Sequence, residues 1–96
     1  LKKSQIRGIA DIQLDRLSSR LAERDLSLTV DDTAFDLLID AGFDPIYGAR
    51  PLKRAIQQKI ENPLAQKILA ADFIAGDTIL VHSNDGHLSF EKLKLN

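Results

Sequence analysis

Residues 42–69 read GFDPIYGARPLKRAIQQKIENPLAQKIL, and the reading of this stretch decides the fold. Pro45 pushes Asp44 toward extended backbone. Gly48 permits a tight turn or a close approach to another group. Phe43, Ile46 and Tyr47 are too apolar for a solvated loop of this length. They either fold back onto the core or face a partner surface. Pro51 carries the backbone angle favoured at the first helical position, which makes Arg50 the N-cap of a helix over 51–61. Leu52, Ala55, Ile56 and Ile60 share one face of it at helical spacing. Asn62-Pro63 is expected to break that helix, since an interior proline costs about 3 kcal/mol. A fourth, short helix over 63–71 then turns Leu64, Ala65, Ile68 and Leu69 inward.

Upstream, residues 4–24 form an amphipathic helix. Ile6, Ala10, Leu14, Leu17 and Leu21 line one face, and Ser4 is the expected N-cap. Ile12 points away from that stripe and Ile9 sits at its edge, a sign of a second apolar contact. Leu26, Leu28 and Val30 alternate with polar residues in a strand over 26–30. Asp31 caps a helix over 32–41, with Val30 and Phe35 at the positions of a hydrophobic staple. Ala34, Leu37, Leu38 and Ala41 form its buried face, and Gly42 is expected as a left-handed residue just past its end. Downstream, Gly76-Asp77 marks a turn. Ile79 and Val81 alternate in a strand over 78–83. Asp85-Gly86 signals a hairpin, and Leu88 and Phe90 follow in a strand over 88–92. The sum is an α+β domain of about four helices and a small three-stranded sheet, one unit over 1–96.

Composition narrows the function. The chain has 96 residues, 13 Lys and Arg against 14 Asp and Glu, and a net charge of -1. That balance argues against binding nucleic acid or an anionic membrane by bulk charge. With no cysteine, disulfides, thiolate metal sites and cysteine nucleophiles are all excluded. No apolar run approaches the roughly 18 residues of a membrane span, and no signal peptide opens the chain. The first residue is Leu rather than Met, as expected of a piece of a longer protein.

The sequence has no phosphate loop, no GxSxG elbow and no HExxH. His82 and His87 flank the hairpin turn, and two histidines beside an exposed Asp85 make a poor metal site. No metal ligand is expected. The one local irregularity is Arg50, because arginine has no side-chain acceptor for the free N–H groups that a cap must satisfy. A helix N-terminus favours anions, and a guanidinium is a planar fork of donors matched to phosphate oxygens. With small Gly48 and Ala49 beside it, Arg50 supplies half of a phosphate site. The competing reading is a structural ion pair from Arg50 to Asp44 or Asp40. A second alternative takes the basic run Arg50, Lys53 and Arg54 with Gln57 and Gln58 as the reading helix of a winged-helix nucleic-acid module. The neutral net charge and the acidic hairpin tip count against it.

At these residues the chain resembles a known family. The stretch 42–69, with its Gly-Phe-Asp and Gly-Ala-Arg-Pro strings, is similar to the C-terminal small subdomain of the second AAA+ module of ClpB-type disaggregases, within the Clp ATPase family. RLAERDLSLTV at 20–30 and Gly76-Asp77-Thr78-Ile79 match in order and spacing. The resemblance implies that Arg50 is the sensor-two arginine, reaching the γ-phosphate of ATP held on a large subdomain outside this chain. Arg50 is then the one residue here expected to act in catalysis. Ala49 and Gly48 would lie near the nucleotide, and Ile12 or Ile9 would cover the adenine.

The resemblance also implies a parent ATPase whose small subdomain has no activity of its own. ATP, with Mg, would be bound mainly by the large subdomain. The small subdomain would contact the large subdomains of its own and the neighbouring subunit in a homo-hexamer. Protein substrates would be engaged by the parent. Neither membrane nor nucleic acid is expected as a partner. The expected compartment is the cytoplasm of a bacterium, with an organelle as the alternative. A pure assembly role, in which Arg50 pairs across a subunit interface, is the other reading of the same residues.

Overall fold

A computed structural model describes residues 2–93; of the expected unit over 1–96, positions 1 and 94–96 lie outside the described residues. Helix α1 spans Lys3–Ala22. Its stripe is the expected one, with Ile6, Ala10, Leu14, Leu17 and Leu21 all buried. Ser4 does not cap it, because the helix has already begun there. Instead the Lys2 backbone N–H donates to Gln5 Oε1 at 3.0 Å, so a side chain inside the helix satisfies the residue before it.

Strand β1, Ser27–Val30, leads into α2, Asp32–Gly42. Asp31 caps α2 as expected, its Oδ1 accepting from Ala34 N–H at 2.9 Å and from the Thr33 hydroxyl at 2.6 Å. These two bonds, the hydroxyl first, hold the Asp31 carboxyl below its ordinary value. The buried face of α2 is Ala34, Phe35, Leu38, Ile39 and Gly42. Ile39 replaces Ala41, which is exposed, and Leu37 is half-buried. Gly42 is not a left-handed residue past the helix end; it is the last residue of α2. Its use is steric, since a Cβ there would lie 2.6 Å from Leu52 Cδ1 and 2.9 Å from Leu52 Cα. Glycine lets the end of α2 meet the start of the next helix.

That helix begins one residue later than the proline rule suggests. α3 is Leu52–Ile56 with Pro51 as its N-cap, so Arg50 precedes the cap. The expected break at Asn62-Pro63 is absent. A π-helical segment, Gln57–Glu61, joins α3 directly to α4, Asn62–Leu69. Asn62 N–H reaches back to the Gln57 carbonyl. Pro63 has no N–H to offer, and its ring would crowd the preceding turn of a regular helix. The wider π turn takes up the proline without ending the rod. Among the described residues the helices therefore form three runs, with the third made of α3, the π segment and α4. The rod ends at Leu69, short of 71, where Ala71 takes a φ of 62°. Leu64 is buried as expected, but Ala65 is exposed and Leu69 is 86% exposed.

Strands β2, Thr78–Asn84, and β3, His87–Lys92, form the hairpin. β2 is central: it pairs in parallel with β1, Leu28 beside Ile79 and Val30 beside Val81, and antiparallel with β3, Val81 beside Phe90. Ser83 N–H donates to Thr33 Oγ1 at 2.9 Å, which ties the hairpin to the cap of α2. One core holds the layers together. Leu14, Leu17 and Leu21 of α1 meet Leu38 and Ile39 of α2, Ile56, Ile60 and Leu64 of the rod, Ile79 of the sheet and Phe73 of the connecting loop.

Candidate functional site

The loop between α2 and α3 is built by Asp44. Its Oδ1 accepts from the N–H groups of Ile46 and Tyr47, at 2.7 and 3.0 Å. Its backbone exchanges both hydrogen bonds with Gly48, at 2.8 and 2.7 Å. The loop is thus closed on itself, and Gly48 makes closure possible with a φ of 63°. Tyr47 then accepts from Arg50 N–H at 3.2 Å, and Ala49 from Leu52 N–H at 3.0 Å. Of the apolar loop residues, Phe43 packs on the core, whereas Ile46 and Tyr47 project outward, 83% and 60% exposed.

Arg50 follows this closed loop and is exposed. Its guanidinium carbon lies 5.3 Å from the centroid of the Tyr47 ring. Among the described residues no carboxylate comes within ion-pair distance of it. Asp44 instead turns its Oδ1 to the backbone N–H groups of Ile46 and Tyr47, and Asp40 is engaged in an interaction of its own. A shallow groove of about 270 Å³ is lined by Asp44, Tyr47, Arg50, Pro51 and Arg54. Gly48 and Ala49 are half-buried, with Ala49 packed against the core. The N–H groups of Arg50 and Leu52 are engaged within the turn, which leaves the exposed guanidinium as the group with open hydrogen-bond donors at this loop.

Ile9 and Ile12 lie on α1, 37% and 55% exposed, and do not line the Arg50 groove. The packing of α1 on the rod nevertheless relates them to it. Gln13 and Arg16 share a groove with Lys53 and Gln57, and Arg20 pairs with Glu61 at 2.9 Å. Further along, Leu21 and Arg24 share one with Leu64 and Ile68. The two helices therefore run side by side in the same direction. Ile9, Ile12 and Arg50 all belong to the same, N-terminal end of that pair.

The histidines are not brought together as ligands. His82 Nε2 lies 2.8 Å from Glu91 Oε1 across the hairpin, and His87 is exposed at its tip. Among the described residues no three histidine or acidic side chains gather around a common point, and no helix is long and apolar enough to cross a membrane. Sequence reasoning did not find the stacking of Arg50 on Tyr47. The available signal was their separation of three residues across a turn that glycine closes.

Comparison with known proteins identifies the scaffold. The family model described as the C-terminal, D2-small domain of ClpB protein matches residues 1–81. The chain is 59% identical over 88 residues to a chaperone protein ClpB of Vibrio cholerae, which covers 92% of this chain and 10% of that protein. It is 62% identical over 79 residues to a chaperone protein ClpB of Pseudomonas putida, 82% of this chain and 9% of that one. A chaperone protein ClpB 1 of Synechocystis is 49% identical over 92 residues, 96% of this chain and 10% of that protein. The chain thus spans about a tenth of the length of the curated relatives it matches. The α+β scaffold, the Gly-Ala-Arg loop and these matches agree, and the chain belongs to the family of C-terminal D2-small domains of ClpB protein.

Proposed function

We propose that this domain is the nucleotide-sensing lever of a ClpB-like, ATP-dependent protein disaggregase. Arg50 would act on ATP bound to a preceding large subdomain. The observation that carries this reading is the state of Arg50: exposed, free of any carboxylate among the described residues, and set beside a rigid closed loop. Arg7 pairs with Asp36 and Arg20 with Glu61, both at 2.9 Å; Arg50, like exposed Arg16, Arg24 and Arg54, has no such pair among the described residues, and what sets it apart is its place at the end of the closed loop against the Tyr47 ring. Ile9 and Ile12, exposed at the same end of the molecule, suit the apolar face of an adenine. The residues present fit half of such a site, because the sequence has no phosphate loop of its own.

Bound ATP, with Mg on the large subdomain, supplies the γ-phosphate charge and the chemistry of hydrolysis. Arg50 contributes two things. It offers fork-like donors to that charge, and it makes the angle between small and large subdomains depend on whether the charge is there. The lever would pass that angle to neighbouring subunits of a hexamer. The outward residues Ile46, Leu69 and Ile74 suit such contacts. Protein substrates and a cytoplasmic location belong to the same proposal. Family membership takes the place of the winged-helix alternative.

The test is Arg50→Ala in the complete ATPase. The expected result is reduced ATP turnover or ATP affinity, about tenfold for loss of one strong charge-assisted contact. Thermal stability should stay within about 0.5 kcal/mol, as for an exposed side chain. Unchanged turnover and affinity would remove Arg50 from the site. A change in hexamer formation without nucleotide, and no effect on turnover, would favour the pure assembly role.

A further inference from the structure

We infer that Tyr47 is the positioning residue for Arg50, its ring holding the guanidinium over the groove so that the donors stay available to a phosphate. The inference rests on the reading of Arg50 as a phosphate contact. The 5.3 Å between guanidinium carbon and ring centroid lies within the roughly 6 Å over which a ring face attracts a cation. An exposed arginine otherwise samples many rotamers, and that freedom opposes a fixed contact. Both partners are anchored to the same closed loop. Asp44 Oδ1 holds the Tyr47 N–H, the Tyr47 carbonyl holds the Arg50 N–H, and Gly48 closes the turn on Asp44. The ring is 60% exposed, so packing in the core does not account for its place.

The chemistry of the alternatives explains why a ring serves here. A carboxylate would fix the arginine by occupying its N–H donors and cancelling its charge, in direct competition with phosphate. An aromatic face attracts the cation and leaves the donors free. The molecule contains the contrasting case: Arg7 lies 4.7 Å from the Phe35 centroid and is also paired with Asp36 at 2.9 Å. That arginine ties α1 to α2, and the acid that it meets offsets the charge that a phosphate would need. Arg50 has the ring without the acid.

The experiment measures equilibrium affinities for a non-hydrolysable ATP analogue and for ADP. It uses the complete ATPase in a background where its first module cannot bind nucleotide. Tyr47→Leu, which keeps apolar bulk and removes the ring, should lower the preference for the ATP analogue over ADP by about 2- to 5-fold, the size of an exposed cation–π contact. Tyr47→Phe should restore the preference. Tyr47→Leu should add nothing in an Arg50→Ala background, and it should leave the unfolding midpoint of the nucleotide-free protein unchanged. If Arg50→Ala lowers the preference and Tyr47→Leu does not, the inference is overturned and the sensing role of Arg50 stands. It is also overturned if Tyr47→Leu still acts once Arg50 is gone, because the ring then works through something else. If Arg50→Ala itself leaves the preference intact, the underlying phosphate reading fails, and the role of Tyr47 with it.

Discussion

Asp31 shows how much a single side chain specifies. Its carboxylate receives the Thr33 hydroxyl and the Ala34 N–H, and Thr33 in turn receives Ser83 N–H from the hairpin. Asp31→Ala should destabilise the domain by about 1 kcal/mol, the usual worth of such a cap. The effect should depend on pH. The folded-state pKa is depressed from the ordinary value of 3.8, so the charged cap stabilises fully above that value. The contribution is lost as pH falls below it toward the depressed value. Unfolding midpoints of wild type and Asp31→Ala should therefore differ most near neutrality and converge in strong acid. A difference that persists at the lowest pH would show that charge is not what the cap supplies. This residue was fully legible in the sequence, since an aspartate ahead of an apolar helix has one common use. Arg50 was legible as an exception to a rule, although the helix starts at Leu52 and the exception has a different geometry. Tyr47 was legible only as too apolar for a solvated loop; its contact with Arg50 was missed, because a three-residue separation across a glycine turn permits that contact without requiring it.

Among the elements, helix faces were read well where apolar residues recur without competition. In α1, Gly8 and the charged residues leave a single stripe, and all five of its expected core residues are buried. In α2 two stripes a residue apart were available, and packing chose the one ending in Gly42, where Leu52 leaves no room for a side chain. The third run was misread at Pro63. A proline predicts a break only if the helix cannot widen to absorb it, and here five residues, Gln57–Glu61, take a π turn. Because the rod continues, its face differs from that of a restarted helix, and Leu69 points to solvent. A pair of substitutions measures the consequence. Leu64→Ala removes a side chain only 1% exposed and should cost about 2 to 5 kcal/mol. Leu69→Ala should change stability by less than about 0.5 kcal/mol. Equal losses in denaturant unfolding would mean that both leucines are in the core, as a separate fourth helix requires.

Over the whole molecule, the α2–α3 loop and the rod lie within the crossover that connects the two parallel strands β1 and β2. A parallel pair needs such a long connection, and here the connection carries the Gly-Ala-Arg segment. Consider what an unbroken rod means for motion. At an α-helical rise of about 1.5 Å per residue, the path from Leu52 to Leu69 is roughly 27 Å, most of the 41 Å length of the molecule. Two helices meeting at a proline joint would flex and dissipate a displacement at one end. On the lever reading proposed above, one continuous shaft would deliver it to the far end, where Leu69 stands bare. A tug of atomic size on Arg50 would then swing that tip as the short arm of a crank swings the long one. Glycines in place of exposed Gln57 and Gln58 would soften the shaft without touching either end. In the complete protein they should leave ATP consumption running while the recovery of aggregated substrate falls; recovery unchanged would mean that force travels by another route.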